Sequence, residues 1–324
     1  MVADKLYVGI DLGGTKISTA LVSKEGRILE RDSRLTAPLE GRDAVIARMV
    51  DAARRVMRKA APGQVAAIGV GAPGPMDAAS GVLTAPPNLP GWVNVPLKEL
   101  IEAKLGIKAY LENDANAAAL GEFYYGAGKG VHNMVYITAS TGIGGGLILD
   151  DRLYGGTNGS AGEIGHMTIL PDGPLCGCGN RGHLEALASG TAIARTAREL
   201  LARGVPTLIG DLVGGDAQAV SAKVVAQAAE QGDLEAERII RQAMEYLGIG
   251  VANLVNLFNP DLIVIGGGLT NMGDKLFAPV RQAVRRTAFP IAAESVRIVP
   301  AQLGGDVGVL GAAVVAIQRS ATEG

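Results

Sequence analysis

The chain has 324 residues, 48% of them hydrophobic and only 4% aromatic, and a formal net charge of -2. That apolar content over that length suffices for two ordinary cores, which excludes a disordered or fibrous chain. Without a basic run or aromatic platforms, nucleic acid is not expected as a partner.

The N-terminus, Met1 to Tyr7, runs into a strand pattern with no charged and apolar leader, so secretion is not indicated. Gly, Asn, Asp and Lys interrupt every apolar stretch before the roughly 18 residues of a membrane span. A cytoplasmic protein without a membrane partner is the expectation.

In chain order, Leu6 to Leu12 reads as a buried strand, Gly13-Gly14 as a turn and Ile17 to Val22 as a second strand. The periodicity predicts a helix from Asp43 to Met57, a strand from Val65 to Gly71, a helix near Leu97 to Lys104 and a strand from Lys108 to Glu112. A proline-rich loop, Pro86 to Trp92, lies between. The order then repeats: a strand from Met134 to Ala139, a glycine turn at Gly142 to Gly146 and a strand from Gly146 to Leu149. An irregular stretch follows, Gly155 to Gly182. Helices are expected around Leu187 to Arg203, Ser221 to Gln231 and Leu234 to Phe258, the last stopped by Asn259-Pro260. A strand, Leu262 to Ile265, meets a third glycine turn at Gly266-Gly267-Gly268. Strands alternating with helices imply an α/β architecture, and the paired glycine hairpins suggest two related halves.

Asp11-Leu12-Gly13-Gly14-Thr15-Lys16 places a turn without side chains beside a carboxylate, where backbone N–H groups can close on a phosphate and Asp11 can hold Mg²⁺ through water. Alone, the hexapeptide reads equally well as a hairpin turn requiring positive φ. The further turns, Ser140 to Gly146 and Gly266 to Gly268, favour phosphate. Gly69-Val70-Gly71-Ala72-Pro73-Gly74 matches a dinucleotide-binding pattern, but Pro73 and Pro75 stand where its helix would begin, so that reading is rejected.

Asn113 and Asp114 fall at the end of a strand and the start of an alanine-rich helix. Asp114 could accept a hydroxyl proton during phosphoryl transfer, with Asn113 bonding a neighbouring hydroxyl. Local sequence alone reads Asp114 as the helix N-cap, a use compatible with catalysis. Two of the three histidines flank the only cysteines. His166, Cys176, Cys178 and His183 are therefore expected to hold a structural, fully coordinated Zn²⁺ rather than to be inert core thiols and surface imidazoles. The metal would fix the loop carrying Glu163 and Glu185, carboxylates able to accept bonds from sugar hydroxyls, and a His ligand can present its other nitrogen to substrate.

These segments in this order resemble the ROK family, a branch of the actin-like ATPase superfamily comprising repressors and sugar kinases. The resemblance covers nearly the whole chain: Asp11 to Lys16, Gly71 to Pro75, Asn88 to Trp92, Glu112 to Glu122, Thr141 to Gly146, Glu163 to His166 and Cys176 to Glu185. One position departs from the family pattern, where His183 stands in place of a third zinc-loop cysteine. The resemblance implies an α/β, actin-like ATPase (ribonuclease H-like) fold with two α/β domains flanking a cleft. The smaller would span 1–118, completed by a C-terminal helix at 308–320, and the larger 119–307 with the zinc loop.

It further implies a hexokinase-type phosphotransferase in which Asp114 is the base. Asn113, Asp114, Glu163, His166 and Glu185 hold the sugar, with Gly74 and Asn88 as further candidates. Asp11, Gly13, Gly14, Thr15, Lys16, Thr141, Gly142, Gly144, Gly266 and Gly267 bind Mg-ATP. The expected reaction phosphorylates the 6-hydroxyl of an aldohexose, glucose first, because Asn88 to Pro96 is similar to the glucose-specific members. Another hexose or N-acetylhexosamine, or a sugar-sensing regulator, are the alternatives. Family repressors carry an added N-terminal DNA-binding domain, for which the ten residues before Asp11 are too few. A homodimer or homotetramer is implied.

Overall fold

The computed structural model of the chain describes residues 4–322, so the start of the Met1 to Tyr7 segment lies outside the described residues. The first half runs β1 (Leu6–Leu12), β2 (Lys16–Ser23), β3 (Ile28–Leu35), α1 (Arg42–Met57), β4 (Val65–Ala72), the short β5 (Met76–Asp77) and β6 (Val82–Leu83), α2 (Leu97–Leu105), β7 (Ala109–Asn113) and α3 (Asp114–Tyr125). It continues with β8 (Met134–Ala139), β9 (Ile143–Leu149), β10 (Arg152–Leu153), α4 (Leu184–Ala188), α5 (Gly190–Ala202), α6 (Leu208–Leu212), α7 (Ala222–Glu230) and α8 (Leu234–Phe258). Then come β11 (Leu262–Gly266), α9 (Asp274–Thr287), α10 (Pro290–Ser295), β12 (Arg297–Pro300) and α11 (Val307–Thr322).

Among the described residues the main strands form two five-stranded sheets of matching order, β3-β2-β1-β4-β7 and β10-β9-β8-β11-β12. In each, an antiparallel hairpin edge leads into a parallel half: β1 with β4 and β4 with β7, then β8 with β11 and β11 with β12. The inner parallel strands β1, β4 and β11 are nearly all buried, as strands covered on both faces are, whereas the edge strand β12 is largely exposed. β3, which the sequence reading does not contain, is an edge strand of alternating polar residues, ILERDSRL, whose Asp32 pairs with Arg34 at 2.8 Å and Arg55 at 3.1 Å. Its charges suit an edge and hide it from an apolar count.

Of the described residues, 4–130, 146–162 and 302–322 form one compact unit, and 131–145 with 163–301 the other. This division falls after Gly130 rather than at 118/119, leaving α3 whole in the first unit and α11 packed there against β1, β4 and α3. Its core joins β1, β2, β4, α1 and α2 with Leu89 and Trp92, so the proline-rich loop is anchored by two buried side chains. A Cβ on Gly69 would lie 1.8 Å from the Ala312 carbonyl of α11. That glycine of the rejected dinucleotide pattern is needed for helix packing.

In the second unit α8 starts at Asp233, whose carboxylate accepts the Ala236 N–H at 2.8 Å, and ends at Asn259 in the left-handed conformation, just before Pro260. The helix expected from Leu187 to Arg203 is two helices, α4 and α5, broken at Ser189, whose hydroxyl caps the second by accepting the Ala192 N–H. No helix of the described residues is long and apolar enough to cross a membrane.

Candidate active site

In the first unit, Asp11 is the penultimate residue of β1 and the glycine turn follows Leu12. Gly13 N–H donates to the Lys16 carbonyl at 2.9 Å, while the buried Thr36 hydroxyl donates to the Gly13 carbonyl at 2.6 Å and its N–H to the Thr15 carbonyl at 2.8 Å. The turn is thereby held from outside, and the N–H groups of Gly14 and Thr15 have no backbone partner among the described residues. Neither Gly13 nor Gly14 has positive φ, so torsion is not why glycine stands there. Close approach is: a Cβ on Gly14 would sit 3.1 Å from the Asn88 Cβ.

β7 and α3 bring Asn113 and Asp114 to the same end of this sheet, where ligands of open α/β sheets bind. The N-cap is Asn113, not Asp114: its Oδ1 accepts the N–H groups of Ala115 at 2.9 Å and Asn116 at 3.2 Å. Its Nδ2 faces Gly74, where a Cβ would come within 3.5 Å. Asp114 is the first helical residue, its Oδ1 accepting its neighbour Ala115 N–H at 2.8 Å. Burial and then the negative charge of Asp114 push the Asp11 carboxyl up to about 6, against the lowering pull of Lys16. Two carboxylates in mutual repulsion beside N–H groups without backbone partners have the chemistry to hold a cation and a phosphate together.

In the second unit the turn Ser140 to Gly142 is pinned by the start of α5, with Gly190 N–H donating to the Ser140 carbonyl at 2.7 Å and Thr191 N–H to that of Thr141 at 3.1 Å. Ile143 N–H donates to Glu185 Oε2 at 2.9 Å, and a Cβ on Gly142 would lie 2.4 Å from that oxygen. The turn is shorter than expected, because residues 143–149 are already strand. Gly144 therefore lies within β9, and Gly266 is the last residue of β11. Gly267, at φ 88°, backs onto the Ala139 carbonyl, where a Cβ would come within 2.4 Å.

Beside this turn opens a cavity of about 940 Å³, walled by Ser140, Thr141 and Gly268, by one face of α5 and by one face of α7. Small residues spaced four apart, Gly190 with Ala194 and Ala222 with Ala226, give it width. Arg198 closes it by donating to the carbonyls of Ala217 at 3.1 Å and Val220 at 2.9 Å. Sequence reasoning missed this wall; the four-residue spacing was its signal, but ordinary helix packing produces the same spacing.

His166, Cys176, Cys178 and His183 each bring one donor atom into a cluster, all within 4.8 Å of one another. His166 Nδ1 is 3.3 Å from His183 Nδ1 and 3.8 Å from Cys176 Sγ, and Cys178 Sγ is 3.2 Å from His183 Nδ1. Tetrahedral zinc with bonds of about 2.1 Å to nitrogen and 2.3 Å to sulfur needs donor separations of roughly 3.4–3.8 Å; the three separations above lie at or near that range and the others within 4.8 Å, so the donor set suits that ion with small side-chain shifts. His183 is buried in the cluster. His166 turns its Nε2 to within 3.9 Å of Glu163 Oε2, and Glu185 Oε1 lies 3.9 Å from Cys176 Sγ. The cluster thus fixes the surroundings of both carboxylates.

Two sheets of one order, each carrying a glycine turn at the strand ends, are those of an actin-like ATPase. The ROK family profile matches residues 7–319, and the chain belongs to the ROK family. It is 39% identical to the glucokinase of Thermotoga maritima over 96% of this chain and 97% of that one. Among solved structures it resembles a ROK hexokinase from Thermus thermophilus, at a TM-score of 0.85 and 39% identity, over 98% of this chain and 100% of that one. It also resembles a ROK family glucokinase from Streptomyces griseus in complex with glucose and AMPPNP, at a TM-score of 0.79 and 37% identity, over 97% of this chain and 99% of that one.

Proposed function

We propose that the protein is a hexokinase-type kinase that transfers the γ-phosphoryl group of ATP to the 6-hydroxyl of glucose, with Asp114 as the base. The observation that carries this reading is Asp114 at the head of α3, close enough to Asp11 beside the first glycine turn for its charge to raise the Asp11 carboxyl. The likeness to glucokinases over nearly the whole chain supports ATP and glucose as the substrates.

In this reading the 6-hydroxyl attacks the γ-phosphorus as Asp114 takes its proton, and the bond to the β-phosphate oxygen breaks to release ADP. Asn113, through Nδ2, and Asn88 meet sugar hydroxyls beside Gly74, and Glu163, His166 and Glu185 supply further sugar contacts. Asp11 would hold Mg²⁺, which would neutralise charge on the phosphates. The peptide groups at Gly13, Gly14 and Thr15, with the Lys16 ammonium, take the phosphates at the first turn; Thr141 and Gly142 do so at the second. Gly267 shapes the third turn, and the cavity along α5 and α7 takes the nucleoside. The Cys/His cluster holds structural zinc. We further read the protein as cytoplasmic and as a homo-oligomer.

The test is ADP release from Mg-ATP across hexoses and N-acetylhexosamines, with wild type and Asp114→Asn in parallel. Glucose should rank first, and the variant should lose at least about a hundredfold in kcat while still binding sugar. Undiminished turnover in Asp114→Asn would remove the base assignment, and sugar binding without turnover would favour a sensor.

A further inference from the structure

The pair formed by Glu112 and Arg319 lies behind the catalytic loop and has no part in the reaction as described. Glu112 is the penultimate residue of β7, and its side chain is 8% exposed. Its Oε1 accepts the Asn113 N–H and the Asn116 side-chain amide, both at 3.1 Å. Its Oε2 accepts from Arg319 Nη2 at 2.7 Å, and Arg319 Nη1 donates to the Ala78 carbonyl at 3.0 Å. Arg319 arrives from the last turn of α11, 207 residues away in sequence.

We propose that Arg319 is a positioning residue for Asp114, acting through Glu112; the inference rests on the reading of Asp114 as the base. A buried carboxylate needs both a countercharge and full hydrogen bonding. Arg319 supplies the charge and fixes the rotation of the carboxylate, aiming Oε1 at the Asn113 N–H and the Asn116 amide. Those bonds set the end of β7, where Asn113 caps α3 and Asp114 follows. Because proton transfer demands close geometry, a small tilt there should reach turnover before it reaches binding. A cavity of about 540 Å³ touches Glu112, Tyr124, Arg152, Gln318 and Arg319 on the outer side. Water can enter there when the guanidinium is removed, but it brings no countercharge.

The experiment compares Arg319→Met, Arg319→Lys, the double variant Arg319→Met with Glu112→Gln, and Asp114→Asn, measuring kcat, KM for glucose and for ATP, and Tm. Arg319→Met should lower kcat by about tenfold or more and leave both KM values within about threefold. The double variant, which removes the unpaired charge while keeping an acceptor for Asn113, should recover most of that loss, and Arg319→Lys part of it. A kcat for Arg319→Met within twofold of wild type overturns the proposal. So does a double variant no faster than the single one, because a purely structural pair would move Tm without that rescue. If Arg319→Met does not fold, Arg319→Lys and the double variant carry the comparison: Arg319→Lys should turn over more slowly than both wild type and the double variant, and the proposal falls if its kcat is within twofold of wild type. Wild-type turnover in Asp114→Asn would instead remove the base assignment, a separate failure.

Discussion

The two glycine turns occupy equivalent places in sheets of the same order, yet their neighbours differ. The first stands beside two carboxylates, one of which resists ionisation; the second stands beside Glu185, already engaged by the Ile143 N–H, and opens on a cavity of about 940 Å³. A repeated scaffold supplies the same backbone feature twice, and side chains distinguish the two: a pair of interacting carboxylates in the first unit, a cavity and a braced carboxylate in the second.

The sharpest way to break this comparison is to neutralise one carboxylate in each unit. Asp114→Asn should act on kcat, by at least about a hundredfold, whereas Glu185→Gln should act chiefly on the glucose KM, by about tenfold. Equal effects on kcat from steady-state kinetics would show that the division is wrong. Next in size is the Cys/His cluster. Cys178→Ala should abolish zinc content by elemental analysis and raise the glucose KM by about tenfold or more, through loss of the frame around Glu163 and Glu185.

The turns themselves can be compared directly. Gly142→Ala would drive a Cβ to 2.4 Å from Glu185 Oε2, against 3.1 Å from the Asn88 Cβ for Gly14→Ala. The first should weaken glucose by about fivefold and the second by less, as read from titration calorimetry. The smallest effect concerns stability without Mg²⁺. The Asp11 pKa is raised from 3.8 to about 6, so its favourable contribution is complete below pH 4 and lost as pH rises through about 6. Metal-free Asp11→Asn should therefore be more stable than wild type above pH 6, by about 3 kcal/mol, and should converge with it near pH 4 in calorimetric melts.

Much of this arrangement was legible where local rules govern it. β8 and α8 have the expected bounds, because a buried apolar run and a helix ended by Asn259-Pro260 need no distant information. The grouping of the Cys/His quartet was legible from ligand chemistry alone. The capping of α3 was not, since Asn and Asp are equally good caps and only backbone torsions assign the role to Asn113. Gly144 and Gly266 were misread as turn residues because a run of glycines marks freedom without marking where the strand begins.

The sequence by itself determined the α/β alternation, the repeated hairpins, the Cys/His cluster and the carboxylate at the head of α3, all carried by residues close together in the chain. Tertiary structure alone decided that α11 packs on the first sheet, that Gly69 serves this contact, that α5 and α7 wall a cavity, and that Arg319 reaches Glu112. Those features depend on which surfaces meet after the chain has folded back across some two hundred residues, and no periodicity or spacing records that encounter.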